Sequence, residues 1–145
     1  MVVGHLHEPC ALVAQSMGGY LAIRAAARAE ANVTHLVLAA TSGGVDLAGL
    51  GVTDWRLASR AANAHAPDWA FERTSDLTEI IASTIVPVLL LWATDDAISP
   101  RRVGEHLLTL FPNGRLTVFD CDDHWFARIH SPAVAETIEG FLTAN

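Results

Sequence analysis

The sequence contains no lysine: all 9 basic residues are arginines, against 16 acidic residues, and the net charge is −7. The longest basic cluster is the pair Arg101-Arg102. Nucleic acids and anionic membrane surfaces are bound through clusters of positive charge. We therefore expect neither nucleic acid nor a membrane as a partner.

Cysteine is scarce, and no long hydrophobic run precedes the first predicted strand. Cys10 and Cys121 match no metal-binding or redox spacing, so we interpret them as small apolar residues in a reducing compartment. Residues 1–14 are too short and too interrupted by histidine, glutamate and proline for a signal peptide or a membrane span. These absences predict a cytoplasmic protein. The histidines lack ligand-like neighbours, so we expect no metal and no cofactor.

Hydrophobic residues make up 51% of the 145 positions, enough for the core of a single domain. Short apolar runs alternate with helical patterns, which predicts an α/β fold whose parallel strands are covered on both faces. Helices are predicted at Met17–Arg28, at Pro100–Phe111 with Ser99 as N-cap, and from Ser131-Pro132 onward. The predicted sheet has four parallel strands in chain order, at Cys10–Ala14, Val33–Ala39, Val86–Trp92 and Arg115–Phe119.

The stretch from Thr41 to Ser83 is too long for a simple connection between strands. It contains two plausible helices, at about Thr53–Asn63 and Asp76–Ser83. Long insertions above a parallel sheet are usually functional. We interpret residues 41–83 as a functional insertion, and a solvated helical hairpin is the alternative.

A serine follows the first predicted strand in the stretch C-A-L-V-A-Q-S-M-G-G-Y. A strand that ends at Ser16 and turns sharply into a helix places the hydroxyl at the carboxyl edge of the sheet. The strained turn needs small neighbours, which Ala14 and Gly18 provide, and Gly19 allows the helix to pack closely. This pattern predicts a nucleophile elbow, with alanine at the first glycine position of G-x-S-x-G. An ordinary serine at a helix start is the alternative.

Two further loops carry the groups that a nucleophilic serine requires, a base and an acid that orients the base. The third strand runs into Asp95-Asp96, and the fourth runs through an acidic stretch to His124. Because the strands are parallel, both loops are expected at the edge of the sheet where Ser16 lies. The alternatives for His124 are a surface histidine beside acidic residues and part of a cation site, which no calcium-loop glycine supports.

Three blocks together resemble the α/β-hydrolase superfamily of small serine esterases and lactonases. They are V-A-Q-S-M-G-G, P-V-L-L-L-W-A-T-D-D-A-I-S-P and D-D-H-W-F-A-R-I-H-S-P, and with the last helix they cover about half of the chain. The resemblance implies that Ser16, Asp96 and His124 form a catalytic triad and that the backbone N–H of Met17 binds the oxyanion. It favours Asp96 over Asp95, since Asp96 stands four residues before Pro100. It also implies that the insertion at residues 41–83 is a short helical cap that shapes the substrate pocket.

The sequence also departs from the family pattern. The family sheet begins with several strands ahead of the elbow, and the loop with an H-G motif supplies a second oxyanion donor; neither is found here. We therefore expect residues 1–145 to form a single truncated α/β-hydrolase domain. The strand Cys10–Ala14 would then have an open edge, which predicts self-association or pairing with a separate front-half polypeptide.

The function predicted from these features is hydrolysis of a small-molecule carboxylic ester or related acyl substrate. Candidate substrate-pocket residues are Gln15, Trp55, Trp69 and Trp125, although core packing would explain the tryptophans equally well. Two alternatives stay open. The chain could be a catalytically impaired fragment or binding module that needs a front half, or an acyltransferase that uses the same triad.

Overall fold

The computed structural model describes residues 8–28, 32–72 and 75–144, except the side chains of residues 57, 58, 69 and 70. Residues 1–7, the first half of the stretch that is too interrupted for a signal peptide, therefore lie outside the described residues. Within the described part of the chain, no helix has the length and apolar character needed to cross a membrane.

Four parallel strands form one sheet, in the order β1-β2-β3-β4, which confirms the predicted fold class and strand order. The strands are β1 (Cys10–Gln15), β2 (Val33–Ala39), β3 (Val88–Ala93) and β4 (Gly114–Phe119). The helices are α1 (Met17–Ala26), α2 (Trp55–Ala62), α3 (Thr78–Ser83), α4 (Arg101–Leu110), α5 (Phe126–Ile129) and α6 (Ser131–Thr143), with a short 3-10 helix at Asp68–Phe71.

Each face of the sheet is covered by its own hydrophobic cluster. Leu36 and Leu38 of β2 face a cluster that includes Ile23 of α1 and Leu107 of α4, whereas Val37 faces the other side. This second cluster contains buried side chains from α5 and α6, among them Phe126, Val134 and Phe141. Successive strand residues point to opposite faces of the sheet. A strand that is covered on both faces therefore has a continuous run of apolar residues in the sequence.

The two edge strands, β1 and β4, are less buried than the central strands β2 and β3. Among the described residues β1 pairs with β2 alone, so it forms one edge of the sheet. Val13 in the middle of β1 is 60% exposed, and Leu21 on the following helix is 58% exposed. The open edge expected from the sequence is therefore present in the described part of the chain.

The segment 41–83 packs into the domain at both ends. Val45 and Val52 near its beginning and Leu77 and Ile81 near its end are buried in the same cluster as α1 and α4. Arg102 of α4 also donates hydrogen bonds to the carbonyls of residues 50 and 51. Helix α2 and the 3-10 helix lie between these buried ends, and their role as a cap stays a prediction.

The start of α4 differs from the prediction by one residue. Ser99 was predicted as the N-cap, but the helix begins at Arg101 and Pro100 precedes it without a side-chain capping bond. Pro100 has φ −55° and ψ 147°, so its backbone is extended and the helix cannot include it. The Ser99 backbone N–H donates to a carboxylate oxygen of Asp96, at 2.9 Å. The serine therefore belongs to the loop after β3 rather than to the helix.

Candidate active site

Ser16 stands alone between β1, which ends at Gln15, and α1, which begins at Met17. Its backbone has φ 54° and ψ −124°. A positive φ is unfavourable for any residue with a Cβ and persists only where the surroundings enforce it. Here the Ser16 N–H donates to the carbonyl of Ala39 at 2.9 Å, and the Ser16 carbonyl accepts from Gly19 at 3.0 Å. The strained turn that the sequence predicts at this serine is therefore found.

Gly19 makes this turn sterically feasible. A Cβ placed on Gly19 would lie 2.6 Å from the Thr41 side chain, closer than real Cβ contacts. A Cβ on Gly18 would lie 3.6 Å from the Ala14 Cβ, an ordinary van der Waals distance. Of the two glycines, only Gly19 is therefore needed for the close approach of α1 to the segment after β2.

Asp96 and His124 form a buried pair. Nδ1 of His124 lies 2.7 Å from Oδ2 of Asp96, and the two residues are 7% and 2% exposed. The other carboxylate oxygen of Asp96 accepts from the backbone N–H groups of Ile98 and Ser99, at 2.8 and 2.9 Å. Three hydrogen bonds therefore fix the carboxylate. The neighbouring Asp95 is exposed, and its backbone N–H donates to the carbonyl of Cys121.

Gln15 joins the serine side of the site to the histidine loop. Its side-chain Nε2 donates to the backbone carbonyl of His124 at 2.6 Å. With its amide engaged in this way, Gln15 braces the loop that carries the imidazole. It does not line the small cavity beside Ser16, and neither does Trp125, whose side chain points largely to solvent at 56% exposure.

A small cavity of about 30 Å3 lies between the predicted nucleophile and base. Its lining includes Ser16, Met17, Trp55, Arg56, Ser99 and His124. Within the described residues the Ser16 hydroxyl makes no hydrogen bond to His124; the two residues share the cavity instead. Such bonds are often long in unliganded enzymes. Trp69 lies in the 3-10 helix, and its side chain is outside what the structure describes.

A larger cavity of about 250 Å3 adjoins the small one and shares Ser42, Leu47 and Arg56 with it. Arg56 was not predicted as a site residue. Its guanidinium lies 3.2 Å from the Asp54 carboxylate and stacks over the Trp55 ring at 5.2 Å. Its side chain is only 15% exposed. No local sequence pattern shows which way the side chains of α2 point, which is why Arg56 was missed.

Met17 places a backbone N–H at the cavity, because it is the first residue of α1. The first N–H groups of a helix have no acceptor within the helix and lie at the positive end of its dipole. No acidic side chain occupies the first turn of α1. The position is therefore suited to an oxygen that develops negative charge.

Cys121 lies on the same loop as His124. Burial raises the pKa of its thiol, and the carboxylates of Asp122, Asp120 and Asp123 raise it further. A thiol with a raised pKa is a weak nucleophile at neutral pH. Within the described residues, no group of three histidine, cysteine or acidic side chains could hold a metal ion.

Family models match both parts of the chain. The model for serine aminopeptidases of family S33 matches residues 1–81, and the model for TAP-like proteins matches residues 57–145. Each match spans more than half of the sequence. The chain belongs to the α/β-hydrolase superfamily. A search of curated proteins found no significant match.

Solved structures of α/β hydrolases share the fold of this superfamily member. An esterase from Exiguobacterium antarcticum superposes with a TM-score of 0.78 at 18% identity, over 98% of this chain and 70% of that one. Rv0554 from Mycobacterium tuberculosis has a TM-score of 0.77 at 18% identity, over 99% of this chain and 69% of that one. A putative non-heme bromoperoxidase, BpoC, from Mycobacterium tuberculosis H37Rv superposes with a TM-score of 0.71 at 20% identity, over 99% of this chain and 70% of that one. The chain thus corresponds to part of the α/β-hydrolase fold.

Proposed function

We propose that the protein is a serine hydrolase that cleaves a small-molecule carboxylic ester or related acyl substrate through Ser16, His124 and Asp96. The observation that carries this proposal is the buried contact of 2.7 Å between His124 and Asp96, beside the cavity that the strained Ser16 lines. A base that is oriented by a buried carboxylate and lies next to a serine in a sharp turn is the arrangement that activates a hydroxyl nucleophile.

In the proposed reaction the Ser16 hydroxyl attacks the substrate carbonyl carbon while His124 takes the hydroxyl proton. Asp96 accepts the hydrogen bond from Nδ1 and so keeps the other imidazole nitrogen free to act as base. The N–H of Met17 donates to the oxyanion. When the intermediate collapses, the leaving alcohol takes the proton from His124, and Ser16 carries the acyl group until water removes it.

The two adjoining cavities support a small substrate. The cavity of about 30 Å3 accommodates little more than the reacting atoms, so the rest of the substrate would extend into the cavity of about 250 Å3. Trp55 offers an apolar surface in the small cavity, and Arg56 offers guanidinium N–H groups where the two cavities meet. We propose Trp55 as a substrate-pocket residue and Gln15 as a brace for the histidine loop.

Labelling with a fluorophosphonate probe tests the proposal, because the probe reacts with activated serines. We expect the wild-type protein to be labelled at Ser16 and to hydrolyse p-nitrophenyl acetate. Ser16→Ala should abolish both signals, whereas Ser83→Ala, at an exposed serine that ends α3, should leave both unchanged. Equal labelling of wild type and Ser16→Ala would reject Ser16 as the nucleophile.

The open edge of β1 favours a second candidate role, as a module that pairs with another polypeptide. Strand β1 contains no charged residue and no proline, the features that usually keep an exposed edge from pairing. Val13 at its centre is 60% exposed. We propose that a strand from a second copy, or from a separate front-half polypeptide, pairs with this edge and that catalysis depends on it.

A further inference from the structure

Ser99 has a buried hydroxyl for which the described residues provide no hydrogen-bond partner. The residue is 7% exposed. Its backbone is engaged on both sides: the N–H donates to Asp96, and the carbonyl accepts from the Trp92 indole at 2.8 Å. A buried polar group without a partner is destabilising, and natural proteins tolerate one mainly where it has a function. The structure thus fixes the Ser99 backbone but leaves the hydroxyl unused.

The position of this hydroxyl relates it to the reaction. Ser99 lines the cavity of about 30 Å3 together with Ser16 and His124. A polar cavity of that volume can hold a water molecule. Because the backbone of Ser99 is fixed, the side chain retains only rotation about its Cα–Cβ bond.

We infer that the Ser99 hydroxyl positions the water that hydrolyses the acyl-enzyme. This inference rests on the proposed function. The water donates one proton towards His124 and the other to Oγ of Ser99, which directs its lone pair at the acyl carbonyl carbon. The new C–O bond forms as His124 takes the first proton. The bond between the carbonyl carbon and Oγ of Ser16 then breaks, Ser16 recovers the proton from His124, and a carboxylic acid leaves.

An alcohol acceptor distinguishes this role from a structural one. Methanol has a single hydroxyl proton, which it must give to His124, so it cannot donate a second hydrogen bond to Ser99. Loss of the Ser99 hydroxyl should therefore slow attack by water and leave attack by methanol nearly unchanged. A general distortion of the site would slow both acceptors alike.

The variant Ser99→Ala removes only the oxygen atom, so it should fold as well as the wild type. Because the hydroxyl has no partner to lose, the melting temperature should be equal or slightly higher. The rate of fluorophosphonate labelling at Ser16 should also be unchanged, since labelling does not require water. Ser83→Ala is the matched control, with no change expected in any of these measurements.

The deciding experiment measures how the acetyl-enzyme from p-nitrophenyl acetate partitions between water and methanol. We expect the ratio of methyl acetate to acetic acid to rise about tenfold in Ser99→Ala, as for the loss of one hydrogen bond. An unchanged ratio overturns the inference while the proposed function stands. A wild-type acetyl-enzyme that water does not hydrolyse overturns the inference and also the hydrolytic step of the proposed function, and it supports acyl transfer through the same serine. Wild-type protein that the probe does not label overturns the proposed function itself, and the inference with it.

Discussion

The two sides of the candidate site rest on strands with very different surroundings. On the acid–base side, all residues of β3 are buried and the Asp96 carboxylate that follows accepts three hydrogen bonds. On the serine side, β1 is an edge strand with Val13 60% exposed. The acid thus follows a buried central strand, whereas the base follows the edge strand β4 and is fixed by its buried contact with Asp96. The serine is held by backbone geometry, through its positive φ and the close contact of α1 with Thr41.

This contrast predicts which substitutions abolish the reactivity of the serine and which destabilise the fold. Substitutions on the acid–base side should remove reactivity while the protein stays folded, because the carboxylate contributes charge and orientation. Substitutions on the serine side should act through packing or association. The following tests address this division, from the largest expected effect to the smallest.

Asp96→Asn should reduce the rate of fluorophosphonate labelling by about 10³–10⁴-fold, because an amide favours the wrong imidazole tautomer. The neighbouring Asp95→Asn is the matched control, since Asp95 is exposed and its side chain makes no described contact with His124. We expect that variant to react within about twofold of the wild type, in line with an exposed substitution. Comparable losses in both variants would show that Asp96 has no special role.

Gly19→Ala should destabilise the protein by about 2–3 kcal/mol, the cost of forcing a methyl group into packed surroundings. The added Cβ would lie 2.6 Å from Thr41, and the elbow would have to shift. Gly18→Ala, whose Cβ would lie 3.6 Å from Ala14, should be neutral or stabilising, because alanine favours the helix. Urea denaturation measures both changes, and similar unfolding free energies for the two variants would contradict this account.

These two tests concern features that could be read from the sequence. Strand β2 has its predicted bounds, Val33–Ala39, because its residues are apolar on both faces. The turn at Ser16 was predictable because a small-residue pattern surrounds it. The preference for Asp96 over Asp95 followed from the resemblance to the α/β-hydrolase pattern, and Asp96 is the residue that contacts His124.

Other features depend on tertiary contacts that no local pattern records. Ser99 has the sequence of an N-cap, but Pro100 is extended and the helix starts one residue later, which leaves Ser99 in the loop where its N–H donates to Asp96. Ile81 lies in a segment interpreted as a cap, yet it packs in the core beside α1. Arg56 lines the cavity because of the way α2 is rotated about its axis, and the sequence of α2 does not determine this rotation.

Val13→Lys should weaken association through the β1 edge by placing a charge at the centre of the strand, as natural edge strands do. Sedimentation velocity over a range of concentrations should show a smaller average mass for this variant than for the wild type. Ile85→Lys is the control, because Ile85 is 79% exposed but lies outside the strands. A wild-type protein that remains monomeric at all concentrations would rule out the proposed pairing with a second copy.

The smallest expected effect on the acid–base side concerns the reactivity of the Cys121 thiol. Burial and then the carboxylates of Asp122, Asp120 and Asp123 raise the pKa of its thiol, so the thiolate should form only at alkaline pH. In a Cys10→Ala background, iodoacetamide should modify Cys121 more slowly at pH 7.5 than it modifies glutathione. Asp122→Asn should increase the rate modestly by removing one of the charges. Faster modification than glutathione would identify Cys121 as a reactive thiol instead.

The indole of Trp92 gives the protein an internal optical reporter. Trp92 is fully buried, and its N–H donates to the carbonyl of Ser99, at the wall of the small cavity. Trp125 is 56% exposed, so iodide should quench its fluorescence while the emission of Trp92 persists at shorter wavelength. With Trp55 and Trp69 replaced by phenylalanine, the unquenched emission would therefore report on the loop that carries Asp96. Changes in this fluorescence would report when a ligand occupies the small cavity, without a labelled substrate.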